Sequence, residues 1–335
     1  MSNMKVTDFF QTIERKFEQM GPEEGSSFQV EVDGNVIEQR FLTRETADCV
    51  ASYLIVPFLS EPKKPDAVFY YWTEDCSVYK PPGSEDETAV WLSKDETGYL
   101  RINSDQEMIG ADYMRNRFYH CRQPQDYHDY MIHGHSMASV FGRWALRNSR
   151  ILLHSACVGV DGKGVMLSAL GGGGKSTLAV SCLLGGFDFV SDDFILVNQE
   201  GPMRAMSLYK VIGLNQDMAA ILKPDMPVMR TEPRRGNKLY LDVSAYPVKK
   251  ELPVHAIVFP NPCDADEPVI RPAERGPVLA KVMRTSAKTM FNFRDPETYR
   301  IMSSRLLSIP VYEILLTRDL GKNREALRRF IQKEL

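Results

Sequence analysis

The order of segments predicts a layered α/β domain in the C-terminal half, preceded by an α+β domain of different texture. Three observations carry this. At 335 residues the chain has the length of about two domains of roughly 150 residues each. From Arg150 onward, apolar runs of strand length alternate with helical patterns. Before Asn148, short β-prone runs follow one another between turn residues, with a helical pattern at either end. The boundary therefore falls at residues 1–148 and 149–335.

Taken in order, residues 6–20 place Phe9, Phe10, Ile13, Phe17 and Met20 at helical spacing behind Thr7 and Asp8 as cap candidates, which predicts an amphipathic helix. Strand candidates follow in FQVEV, NVIEQRFL, AVFYYW, AVWLS and YLRIN, the first two joined by Asp33-Gly34. The aromatics Phe69, Tyr70, Tyr71 and Trp72 read as core and edge residues of this sheet, and GSEDET (83–88) as a solvated loop. A second helical pattern runs from near Asp126 to about Trp144. Beyond it, RILLHSACVGV and GVMLSA are joined by Asp161-Gly162, a two-strand signal. A glycine run, a helix from Ser176, and the strands FDFVS and FILVN around Asp192-Asp193 come next. LPVHAIVF predicts a buried strand, PVLAKVMRTSAKTM and PETYRIMSSRLL helices, PVYEILL a last strand, and NREALRRFIQKEL a closing amphipathic helix.

Composition excludes several classes. With 43% hydrophobic and 25% charged residues the chain can bury a core and stay soluble, unlike a disordered or collagenous sequence. Lys+Arg 41 against Asp+Glu 44 gives a net charge of −3, which argues against a nucleic-acid-coating surface. No run approaches the roughly 20 apolar residues that span a bilayer, so no membrane partner is expected. The segment MSNMKVTDFFQTIERKF lacks the features of a signal peptide. The six cysteines, Cys49, Cys76, Cys121, Cys157, Cys182 and Cys263, form no framework and read as reduced thiols of a cytoplasmic protein.

The segment GVMLSALGGGGKSTLAVSCLLGG holds the clearest chemistry. A strand enters, glycines turn the chain, and a helix leaves with Lys175, Ser176 and Thr177 at its start. Polyphosphate binding needs this arrangement. Unhindered amides of Gly171, Gly172, Gly173 and Gly174 wrap a phosphate, the helix N-terminus adds partial positive charge, the lysine reaches the β/γ oxygens, and the Ser176 hydroxyl meets Mg²⁺. Glycine in a regular element costs roughly 0.5–1 kcal/mol relative to alanine, so four in a row exceed what a structural turn needs. In the pattern G-x-x-x-x-G-K-[ST], Ala169 holds the first glycine position, tolerable if the loop turns at Gly171. ATP with Mg²⁺ is the expected ligand.

No NKxD guanine reader and no LSGGQ segment occurs. Instead, His154 stands 21 residues before Lys175, and Asp192-Asp193 begins 17 residues after it. A carboxylate beside a γ-phosphate can orient an acceptor hydroxyl and take its proton. The strand ending at Ser191 should run parallel to the one entering the loop, so the aspartates would emerge at the same sheet edge as Lys175. With these three parts in this order, the chain resembles the HPr serine kinase/phosphorylase family over Leu152–Val197, and the core that family shares with ATP-dependent phosphoenolpyruvate carboxykinases. The resemblance implies a P-loop kinase core of the HPr kinase/PEP carboxykinase type. It makes Asp192 the catalytic base and leaves Asp193 as the metal ligand, the reverse assignment staying open. It also implies that His154 sits beside the phosphates and poises the base, and that the protein self-associates into a homo-oligomer.

The chain departs from the family at MSLYKVIGLNQDM, where the glutamate–arginine signature is missing, which removes the basis for phosphorylase activity and for HPr as substrate. Arg230, Arg234, Arg235 and Lys238 around Gly236 would either clamp phosphate or an acidic acceptor, or form a solvated loop. Arg271, Arg275 and Arg284 are further phosphate candidates. His120, Cys121, His128, His133 and His135 match no zinc spacing. The expected activity is an ATP-dependent kinase acting on a hydroxyl, a serine of a protein or peptide foremost, with residues 1–148 serving acceptor recognition. The alternatives are a small-metabolite kinase or carboxykinase-type enzyme, and a nucleotide-dependent binding module without phosphoryl transfer.

Overall fold

The computed structural model describes residues 6–19, 26–79, 90–94, 96–103, 106–124, 135, 137–232, 237–263, 265–290 and 296–335. The chain divides into two compact units, one of Met1–Ile132 with Ser136–Arg147, the other of His133–His135 with Asn148–Leu335.

The first unit runs α1 (Val6–Glu18), β1 (Ser26–Val32), β2 (Asn35–Phe41), α2 (Arg44–Ala51), β3 (Ala67–Thr73), β4 (Val90–Lys94), β5 (Gly98–Asn103), β6 (Glu107–Asp112), β7 (Arg117–Arg122) and α3 (Ala138–Arg147). Its seven strands form one mixed sheet in the order β1-β2-β3-β7-β6-β5-β4, parallel at β2–β3 and β3–β7 and antiparallel elsewhere. The β1–β2 hairpin closes because Asp33 and Gly34 both adopt left-handed backbone, at φ 47° and 78°. Strand β3 is apolar at successive positions because both its faces are covered. Val68, Tyr70 and Trp72 join Phe9, Phe10 and Ile13 of α1 in one core, while Phe69 meets Phe141 and Trp144 of α3 on the other face. Phe10 stacks on Tyr119 at 4.1 Å, and Tyr119 on Tyr70 at 5.1 Å. The pattern missed α2, β6 and β7. The GSEDET loop, Met20 and the stretch from Gln125 to Gly134 lie outside the described residues. The helix read to Trp144 ends at Arg147.

The second unit contains β8 (Arg150–Leu153), β9 (Ala156–Val160), β10 (Lys163–Leu167), α4 (Lys175–Leu184), β11 (Asp188–Ser191), β12 (Ile195–Asn198), β13 (Arg204–Met206), β14 (Val211–Asn215), α5 (Gln216–Leu222), β15 (Val228–Glu232), β16 (Lys238–Asp242), β17 (Glu251–Pro262), β18 (Val269–Pro272), α6 (Arg275–Met290), α7 (Pro296–Leu306), β19 (Val311–Leu316) and α8 (Leu320–Glu334). The main sheet runs β11-β9-β10-β17-β13-β12-β8, with β19 and β18 joined through β17. The buried strand β17 is its spine, parallel to β10 and to β19. One face of this sheet packs Val158, Val165, Leu167 and Val258 against Leu178 and Leu183 of α4 and Leu327 and Ile331 of α8. A second, three-stranded sheet has the order β14-β16-β15. Both units are mixed α/β structures. Among the described residues no helix is long and apolar enough to cross a membrane.

Two readings change. RILLHSACVGV is not one strand: it breaks at His154-Ser155, β8 pairing with β12 and β9 with β10 and β11. His154 therefore occupies the break rather than a strand, and while Leu152 is fully buried, the His154 side chain is 26% exposed. Strands β11 and β10 do run in the same direction, both being antiparallel to β9, but β9 lies between them.

Candidate functional site

Seven residues, Ser168 to Gly174, connect the end of β10 to the start of α4. Gly172 and Gly174 adopt left-handed backbone, at φ 81° and 84°, which the missing Cβ permits. At Gly173 a Cβ would come 2.8 Å from that of Ala169, so the alanine in the first-glycine position is accommodated by glycine opposite it. Gly171 and Gly172 face open space. The Gly173 amide donates to Leu170 O at 2.9 Å, so one of the four expected phosphate-binding amides is already engaged in the turn. Ser176 and Thr177 follow in the first turn of α4, both half-buried.

Lys175 opens α4 and is buried. Its ammonium donates to Asp192 Oδ1 and, at 2.6 Å, to Asp193 Oδ1, with Ser176 Oγ at 3.3 Å. The aspartates reach it because β11 ends at Ser191, in line with the loop end of β10. Asp193 takes a left-handed conformation, φ 62°, while the Phe194 amide donates back to Asp192 O at 2.7 Å. This tight turn points both carboxylates at one lysine. Burial opposes charge on Lys175, but Asp192 and Asp193 outweigh it and hold its pKa above the usual lysine value. Burial likewise opposes charge on Asp193, and Lys175, Lys238 and His154 outweigh it, holding this carboxyl well below the usual range. The Asp192 side chain is fully buried, and among the described residues its Oδ2 has no hydrogen-bond partner.

His154 Nε2 lies 3.4 Å from Asp193 Oδ1, whereas the resemblance implies that it poises Asp192. Its backbone amide donates to Ser286 Oγ of α6 at 3.0 Å, and its ring packs on Phe194. Phe194 also meets His135, which is buried against Tyr209. Burial pushes the His135 pKa down to about 3. Ser286, Phe194 and Tyr209 were not legible as site residues. Phe194 directly follows the aspartates, but Ser286 is 132 residues from His154 and carries no local signal.

Of the basic candidates, the site includes Lys238, whose Nζ is 3.7 Å from Asp193 Oδ2. Arg230 lies half-buried on β15, and Arg234, Arg235 and Gly236 fall outside the described residues. Arg271 pairs with Glu313 at 2.7 Å, and Arg275 and Arg284 are exposed on α6. Among the described residues no group of three or more histidine, cysteine or carboxylate side chains could hold a metal ion. His120 bonds Glu107 Oε2 at 3.1 Å, and Cys121 contacts Cys76 on the opposite face of β7. His135 belongs to the second unit, and His128 and His133 lie outside the described residues.

The chain matches no family model, and no curated protein matches it in sequence. Among solved structures it is similar to the Hpr(Ser) kinase/phosphatase from Coxiella burnetii, at 15% identity and a TM-score of 0.30, over 55% of this chain and 95% of that one. At that TM-score the assignment of the fold rests on the strand order and helix packing described above.

Proposed function

We propose that the second unit is an ATP- and Mg²⁺-dependent phosphotransferase that moves the γ-phosphate to a hydroxyl, foremost a serine of a protein or peptide. One observation carries the reading: a buried lysine, at the first turn of a helix behind a glycine loop, lies between two buried carboxylates. The loop suits a polyphosphate because Gly171 and Gly172 present backbone to open space, where a side chain would obstruct an approaching ligand. The amides of Gly171, Gly172 and Gly174 and the Lys175 ammonium would bind the phosphates. Ser176 and Asp193, whose carboxyl is held well below the usual range, would hold Mg²⁺, which would neutralise phosphate charge when bound. Asp192 is the better base, since among the described residues its Oδ2 makes no hydrogen bond, while Lys175, Lys238 and His154 hold the Asp193 carboxyl well below the usual range. His154 positions Asp193. The first unit would present the acceptor, and self-association into a homo-oligomer belongs to the same proposal.

Incubation with γ-labelled ATP, Mg²⁺ and candidate acceptors tests this. Label on a peptide serine is the expected result. Label on a metabolite would move the assignment to a small-molecule kinase, and tight ATP binding without transfer to a binding module. Asp192→Asn should leave ATP affinity near wild type while transfer falls about 10²-fold or more, whereas Lys175→Ala should weaken both. Undiminished transfer in Asp192→Asn would make Asp193 the base.

A further inference from the structure

Lys238 sits at the start of β16, its side chain about four-fifths buried. A lysine seldom takes such a position without a reason in its surroundings, and here the surroundings are shaped for it. Gly213, on the neighbouring strand β14, lies diagonally across the ladder, in which Asn215 faces Lys238 and Gly213 faces Tyr240. A Cβ at Gly213 would overlap Lys238 Cε and lie 2.5 Å from its Nζ, so the lysine runs through the space that this glycine leaves empty. The Tyr240 ring, itself buried, flanks the ammonium at 5.3 Å. The slot aims Nζ at Asp193 Oδ2, yet 3.7 Å is too long for a hydrogen bond. Among the described residues the Lys238 ammonium makes no hydrogen bond. Its three donors are held beside the site and left over for something else.

Charge and direction say what that is. Asp192 and Asp193 bring two negative charges, and Lys175 alone leaves the cluster negative toward an incoming polyphosphate. Lys238 restores neutrality. It does so from the Oδ2 side of Asp193, whereas Lys175 and His154 both meet Oδ1. Lys175 directly follows the glycine loop, whereas Lys238 comes from the separate three-stranded sheet and meets the other oxygen of Asp193, which leaves it for the phosphate beyond the one that Lys175 holds. We propose that Lys238, threaded through the slot at Gly213, is a second phosphate-binding cation that grips the terminal, transferred phosphoryl group. This rests on the phosphotransferase reading, and its test is separable from it.

The test compares binding of ADP and of β,γ-methylene-ATP, each with Mg²⁺, to wild type, Lys238→Met, Lys238→Arg and Gly213→Ala. A charge-assisted hydrogen bond to the terminal phosphate predicts that Lys238→Met loses about tenfold or more in affinity for the triphosphate while ADP affinity stays within about twofold. Lys238→Arg should recover part of the loss. Gly213→Ala displaces only the end of a flexible side chain, so it should fold normally and reproduce the Lys238→Met defect. Adding it to Lys238→Met should make nothing worse. Equal loss for both nucleotides, or no loss for either, overturns the assignment of Lys238. A wild-type protein that binds both nucleotides but transfers nothing overturns the phosphotransferase reading and leaves this comparison decisive. A wild-type protein that binds neither overturns both.

Discussion

Asp193 shows how a single residue's backbone shapes the site. Its left-handed φ is unusual for a residue other than glycine, and aspartate is one of the few that tolerate it. The turn it makes brings two consecutive carboxylates to one ammonium, which an extended strand would have sent to opposite faces. His135 illustrates a second residue-level effect. With its pKa pushed down to about 3 by burial, and with Asp193, Lys238, His154 and Lys175 around it, the ring stays neutral in the folded protein. The unfolded chain binds that proton below its ordinary value near 6.5. Folding stability from this residue is therefore complete above about pH 6.5 and is lost as pH falls toward 3, by up to about 1.4 kcal/mol per pH unit. Urea midpoints measured from pH 7 to pH 4.5 should fall more steeply in wild type than in His135→Phe. Parallel curves would show that the histidine is not the buried neutral group described.

At the scale of elements, one of the aromatic contacts that pack α1 on its sheet has an unusual requirement. Phe10 is fully buried and lies over Gly110 of β6, where any Cβ would overlap its ring. The ring is stacked on Tyr119 and cannot swing aside as a lysine end can. Gly110→Ala should therefore destabilise the first unit by about 1–3 kcal/mol through overpacking. Phe10→Leu in the same chain should recover part of that by shrinking the opposing group. Phe10→Ala alone should cost about 3–5 kcal/mol. Chemical denaturation followed by tyrosine and tryptophan fluorescence reads all three, and a neutral Gly110→Ala would contradict the packing described. The contrast with Gly213 is instructive. Both glycines make room for a side chain, but one neighbour is a fixed ring and the other a mobile ammonium, so substitution is felt as stability in one case and as ligand affinity in the other.

At the scale of the whole molecule, each unit has its own sheet and core, and the ionic cluster lies within the second. Buried ion clusters of this kind are poor sources of stability, because desolvation offsets most of the attraction. Ligand binding is a better one. Mg²⁺ and ATP at about a hundred times the dissociation constant should stabilise the unit that binds them by about 2.7 kcal/mol, visible as a raised melting temperature. Lys175→Ala should abolish the rise. No shift at saturating nucleotide would count against the loop as a phosphate site.

Sequence alone determined the features that depend on neighbouring residues: the Asp33-Gly34 and Asp161-Gly162 hairpins, the apolar stripe of α1, the strand–glycine loop–helix at Lys175, and the strands on either side of Asp192-Asp193. Each is encoded within a few residues by backbone preference or periodicity, which act locally. Tertiary structure decided the break at His154, the pairing of that histidine with Asp193, the Ser286 contact, the burial of His135 against Phe194 and Tyr209, and the slot that Gly213 opens for Lys238. The three-residue strand β13 carries too little periodicity to be recognised. Contacts across more than a hundred residues depend on which strands become neighbours, a choice made by the burial of the whole core and written in no single segment.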